Sequence, residues 1–177
     1  MGWSLGYLPP KEPELLDAFF LALGKALYLA NAFESKCQFV LRIAKQVYHY
    51  KAYDDSSATM AFMQSLKDNM LGQTINELKL FPEFTPADIA LLKEAKEARN
   101  FIAHESADLG YLSSISAKQL WEHIDRLREE VDKLVAGDNL VSRWVYEIED
   151  KEAAPREIQK NYAQWVQQWI FGSFDFT

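Results

Sequence analysis

The sequence predicts an all-α protein: an up-and-down bundle of four main helices followed by short C-terminal helices. Three observations carry this. Apolar residues recur at three- and four-residue spacing over long stretches, the period of a helix with one buried side. Alternating strand runs, glycine-rich strand-to-helix phosphate loops and internal repeats are absent. Helix-start chemistry recurs between the periodic stretches, at Pro13, at Thr85-Pro86 and at Ser116 with Gln119. With 49% hydrophobic and 14% aromatic residues, the 177-residue chain has core enough for one domain, residues 1–177, without metal or disulfide support.

The first helix comes after Pro9-Pro10-Lys11-Glu12-Pro13-Glu14, where Pro13 suits a first turn and Glu14 complements the helix dipole. From Leu15 to about Tyr50, Leu16, Phe19, Leu23, Leu27, Ala30, Cys37, Val40, Leu41, Ala44 and Val47 keep near-helical spacing. Asn31, Glu34, Ser35, Gln38, Arg42, Lys45 and His49 form a polar stripe on the other side. Tyr53 to Ser57 is a break, after which a second helix is expected from Ala58 to Leu71, ended by Gly72, with a short turn from Thr74 to Leu80. Pro82 closes that piece. Thr85 as N-cap, Pro86 and Asp88 open a third helix from Pro86 to about His104. Gly110 marks a loop, and Ser116 with Gln119 opens a fourth helix from Ala117 to Val135, closed by Gly137-Asp138-Asn139. Shorter helices are expected around Val141–Glu149 and Arg156–Ile170. The aromatic end, Trp165, Trp169, Phe171, Phe174 and Phe176, either packs back on the bundle or forms a docking surface.

Charge and composition narrow the function. A net charge of −7 disfavours extended nucleic-acid binding and any broad grip on DNA, while it leaves room for a short RNA in a local basic cleft or for a basic protein partner. A single cysteine, Cys37, excludes a disulfide framework and a cysteine-built zinc cage, as expected of a reducing cytoplasm. The N-terminus lacks a basic stretch leading into a long apolar one, and no run approaches the roughly 18 to 20 uninterrupted apolar residues of a membrane span, so neither secretion nor a membrane is expected. Three histidines without His-Glu-x-x-His or paired Glu-x-x-His elements argue against zinc protease or di-iron chemistry.

The third helix carries the most pointed chemistry. Leu91, Ala95, Ala98 and Ile102 gather on one side, and Lys93, Lys96, Glu97, Asn100 and His104 on the other, which separates His104 from a histidine buried in an apolar stripe. Arg99 and His104 lie about 140° apart around this helix. They can share a site if the helix ends or distorts near His104 or if two protomers place their third helices side by side, in an isologous pair.

The segment Glu97-Ala98-Arg99-Asn100-Phe101-Ile102-Ala103-His104-Glu105, late in a helix of an all-helical domain, resembles the Arg-Asn-x-x-x-His signature of the HEPN superfamily. Asn31-Ala32-Phe33-Glu34 is similar to the polar patch on that family's first helix. The resemblance spans roughly residues 15–135 and leaves 140–177 as a C-terminal extension. It implies metal-independent RNA cleavage, without a cofactor, by a homodimer formed through the motif-bearing helix, and a toxin or defence role restrained by an antitoxin-like protein partner. Arg99, His104 and Asn100 are then the catalytic candidates, with Glu34, Asn31 and Lys96 auxiliary or substrate-binding. The residue chemistry agrees. An imidazole with an ordinary pKa of about 6.5 exchanges protons at neutral pH, and a guanidinium holds a phosphate bidentately while charge accumulates on it. Asn100 can orient His104 or touch substrate.

Blander readings compete. Arg99 can pair with Glu94, Glu97 or Asp88, Glu34 can be a solvated or salt-bridged face residue, and His49, His123 and Cys37 read as structural. The alternative function is a non-catalytic, dimeric HEPN-like interaction module. A third reading, a helical small-ligand binder, requires an enclosed apolar pocket.

Overall fold

The computed structural model describes residues 8–67 and 69–174. Among the described residues, six α-helices make up the fold: α1 (Pro13–Tyr53), α2 (Ser56–Ser65), α3 (Leu71–Leu78), α4 (Pro86–His104), α5 (Ala117–Asp150) and α6 (Arg156–Phe171), with a 3-10 turn at Gly172–Phe174 after the last of them. No strand occurs among the described residues, and the class is all-α.

Contacts along the helices define an alternating course. α5 runs parallel to α1, since Phe33 and Lys36 meet Gly137 and Asp138, and farther along Val40 and Ala44 share a groove with Trp144 and Ile148. α4 runs against both: Ala95 lies at Gly137, and Phe101 lies under Arg126. α6 returns along α5, from Asn139 beside Gln159 to Arg128 beside Phe171. Phe19, Phe33, Leu92, Leu120, Ile124, Leu127, Leu134 and Ile170 are fully buried where these helices meet, each contributing about 1.5–3 kcal/mol by leaving water.

Local chemistry sets most of the boundaries. Asp54 closes α1 in the left-handed region at φ 47°, and the Asp55 carboxylate accepts from the backbone N–H groups of Ser57 and Ala58 to open α2. Thr85 with Asp88, and Ser116 with Gln119, form reciprocal capping boxes at the starts of α4 and α5. Gly110 takes φ 68° in the connecting loop.

Two predicted boundaries are corrected. The second helix ends at Ser65 rather than Leu71, and Gly72 opens α3 instead of terminating its predecessor. Leu71, Thr74, Ile75 and Leu78 bury one face of α3, and this packing outweighs the glycine's poor helix propensity. The fourth helix does not stop at Gly137-Asp138-Asn139, and it takes in the stretch expected as a separate Val141–Glu149 helix. A Cβ on Gly137 would lie 2.3 Å from the Ala95 Cβ and 3.3 Å from the Phe33 ring. The glycine therefore permits a close helix crossing, and α5 continues unbroken from the 15–135 stretch into the C-terminal extension.

The polar stripe of α1 is also more than a solvated face. Glu34 binds Arg99 of α4, Gln38 donates to the Asn69 carbonyl, Lys45 meets Glu77 of α3, and His49 meets Thr59 of α2. It is the side on which α2, α3 and α4 are tied down. By length and mean hydropathy α1 could itself cross a bilayer, although it has no uninterrupted apolar run, and 39% of its most apolar window is buried in the bundle. At the aromatic end, Phe171 and Phe174 pack inward while Trp165 and Trp169 remain 49% and 46% exposed; Phe176 lies outside the described residues.

Candidate active site

α4 ends cleanly at the motif. The N–H groups of Glu105 and Ser106 both donate to the Phe101 carbonyl, and the buried Ser106 hydroxyl donates to the Ile102 carbonyl at 2.6 Å. This leaves His104 exposed on the last turn. One turn earlier, Ala95, Ala98 and Ile102 face the core, and the Arg99 side chain runs half-buried between α4 and α1.

The Arg99 guanidinium is the centre of the cluster. Its Nη2 donates to Glu34 Oε2 at 2.5 Å, and its Nη1 approaches Asn100 Oδ1 at 3.4 Å and His104 Nε2 at 3.5 Å. The side chains of Arg99 and Glu34 keep 19% and 22% of their surface exposed, so the pair sits at the rim of the bundle rather than inside it. Three of the predicted residues, Arg99, Asn100 and His104, therefore meet in one chain, and Glu34 joins them. The roughly 140° between Arg99 and His104 is bridged by the reach of the arginine stem at the point where α4 ends, at His104. Glu34 occupies Arg99 in place of the local acids Glu94, Glu97 and Asp88.

Two auxiliary candidates fall outside this contact set. The exposed Asn31 lies one turn before Glu34, and its backbone carbonyl accepts from the Ser35 hydroxyl. Lys96 pairs with Glu97 at 2.6 Å and, with Gly72, Ile75 and Asn76, lines a hollow against α3. A residue the sequence does not single out is Arg126, whose guanidinium lies 4.2 Å from the Phe101 ring centre and 3.9 Å from Glu105, beside the end of α4. Its spacing on α5 gives no hint of this, because the contact depends on how α5 pairs with α4.

Chemically the cluster holds a permanent cation, a titratable imidazole on the surface and a carboxylate fixing the cation's direction. In the tautomer protonated on Nδ1, His104 Nε2 accepts from Arg99, and it must leave that contact to take a proton from a substrate. No group of three or more His, Cys, Asp or Glu side chains among the described residues is placed to hold a metal ion. A hollow of about 480 Å³ between α1, Phe84 and α5 is an open groove, not an enclosed apolar pocket. No protein-family model, no curated protein and no solved structure matches the chain.

Proposed function

We propose that the protein is a HEPN-type, metal-independent endoribonuclease acting as a homodimer. The observation that carries this reading is the convergence of Arg99, Asn100, His104 and Glu34 at an open rim. In the proposed reaction the ribose 2′-oxygen attacks phosphorus, the bond to the 5′-oxygen breaks, and the products carry 2′,3′-cyclic phosphate and 5′-hydroxyl ends. One His104 takes the 2′-hydroxyl proton and a second supplies a proton to the leaving 5′-oxygen. Arg99 holds the nonbridging oxygens as charge builds on them, and Glu34 aims the guanidinium.

A second copy supplies the second imidazole. On the outer face of α1, Phe20, Gly24, Leu27, Asn31 and Glu34 succeed one another at alternating steps of four and three, the spacing of a helix-pairing seam. Phe20, Leu21, Leu27 and Tyr28 are 38–69% exposed there, and nothing lies within 4 Å of a Cβ built on Gly24. This seam leads directly to the rim where the motif-bearing α4 meets Glu34, which supports a two-fold contact placing two clusters along one cleft. An antitoxin-like partner restraining the enzyme belongs to the same proposal.

One observation favours the non-catalytic interaction module: Arg99 is already engaged by a carboxylate at 2.5 Å. Cleavage of a labelled RNA in EDTA separates the two readings. The enzyme reading expects cyclic-phosphate ends from the wild type and loss of cleavage in folded His104→Ala and Arg99→Ala variants of unchanged oligomeric state. Cleavage unaffected by both substitutions, or none on any RNA, selects the interaction module.

A further inference from the structure

Arg128 points to a second site on the far side of α5. Its guanidinium lies 5.1 Å from the Phe171 ring centre and 6.0 Å from that of Phe174, so the two rings form a shelf for the cation. Its Nε is buried with no hydrogen-bond partner, and among the described residues no carboxylate pairs with it. Asp132, one helical turn on, is the natural candidate, but its Oδ1 accepts from Gln167 Nε2 at 2.6 Å instead. The remaining guanidinium edge borders an open cavity of about 370 Å³ lined by Arg128, Phe171, Gln164, Gln167 and Gln168.

A partly buried guanidinium without an anion is an uncompensated charge, and native proteins supply such groups with partners. Stacking fixes the guanidinium plane and leaves its N–H fork to grip an oxyanion bidentately. The glutamine amides around it donate and accept equally well, which suits a ligand with a polar body beyond its charged head. We infer that this cavity binds a small metabolite carrying a phosphate or carboxylate group, with Arg128 holding the oxyanion and the α6 glutamines contacting the rest. The outer face of α5 exposes Asp125, Glu129 and Asp132, so capture depends on direct contacts with the guanidinium rather than on a favourable surrounding field. The inference stands apart from the ribonuclease reading, because none of its residues belongs to the Arg99 cluster.

Calorimetric titration with inorganic phosphate, adenosine 5′-monophosphate and succinate, each at constant ionic strength, tests it. Saturable binding of at least one probe is expected in the Arg99→Ala variant, where the other proposed oxyanion-binding arginine is removed, and adding Arg128→Gln should weaken it at least ten-fold; comparison of the three probes identifies the preferred head group. Side-chain ¹⁵N NMR of the wild type, with arginine labelled, gives a readout independent of any variant: the Arg128 signals should shift on saturation. Absence of saturable binding by all three probes overturns the inference. So does undiminished binding in the Arg99→Ala, Arg128→Gln double variant, or saturation that leaves the Arg128 signals unmoved.

Discussion

Two polar clusters depart from neighbouring positions of α1 and differ in their access to water. Glu34 leads to Arg99, Asn100 and His104 at a rim where the ion pair stays about one-fifth exposed. Lys36 leads to Asp138, which is fully buried; its ammonium donates to both carboxylate oxygens at 2.9 Å, Tyr162 donates a short hydrogen bond to Oδ2, and Ser142 completes the set. The sealed cluster closes around the Asp138 carboxylate, with the Lys36 side chain reaching out to keep 29% of its surface exposed, and ties α1, α5 and α6 together. The rim cluster ends in an exposed imidazole. A closed network contributes to folding specificity, whereas chemistry needs a network with one side open.

The sharpest way to break this contrast is Asp138→Ala. Removing the buried carboxylate leaves the partly exposed Lys36 ammonium and the Tyr162 hydroxyl without their shared acceptor, an expected loss of about 1–3 kcal/mol in urea unfolding. An effect below about 1 kcal/mol would show that the network is not what joins these helices. Arg99→Ala should behave oppositely. Its partly exposed ion pair contributes about 1 kcal/mol or less to stability, whereas loss of a phosphate-stabilising donor should lower RNA cleavage by about 10²–10³-fold. A large stability loss accompanied by unchanged cleavage would reverse the roles assigned to the two clusters.

Gly137→Ala probes the crossing that holds the sealed cluster in place. Its new methyl would meet Ala95 at 2.3 Å, and α4 and α5 must separate to admit it. Overpacking of this kind costs about 1–3 kcal/mol, to be read as a lowered thermal midpoint. The companion Gly24→Ala, where the space is open, should not lower it in the monomer.

The difference between the two glycines also shows what is legible in the sequence. Helix starts are readable wherever a side chain caps its own backbone: Thr85 with Asp88 and Ser116 with Gln119 mark α4 and α5 to the residue. Gly72 and Gly137-Asp138 mislead because local propensity favours a stop there, while partners distant in the chain make those positions helical. The site divides in the same way. Arg99, Asn100 and His104 stand out as one short polar pattern, but spacing alone offers Arg99 only nearby acids, and its ion pair to Glu34 spans 65 positions. Helical angles between Cβ atoms likewise understate how far an arginine reaches, so Arg99 and His104 look farther apart in the sequence than they are in the fold. Arg128 gives no sequence signal at all, since a cation without a carboxylate partner among the described residues can be recognised only once those residues are placed in space.

The smallest expected effect appears only in alkali and reports on Cys37, which lies between the two clusters. Burial pushes its thiol pKa far up, and the charges of Asp138 and Glu34 add to the shift while Lys36 opposes it. The unfolded chain releases this proton near an ordinary thiol pKa of about 8.5, whereas the folded chain retains it. Stability attributable to Cys37 is therefore fully present below that pH and falls as pH rises above it, at up to about 1.4 kcal/mol per pH unit. Between about pH 8 and 9.5 the wild type should lose about 1 kcal/mol more than Cys37→Ala, measured as the difference in urea unfolding free energy. Equal losses in the two proteins would mean that the thiol reaches water in the folded state, and that the wall between the sealed and open clusters is not dry.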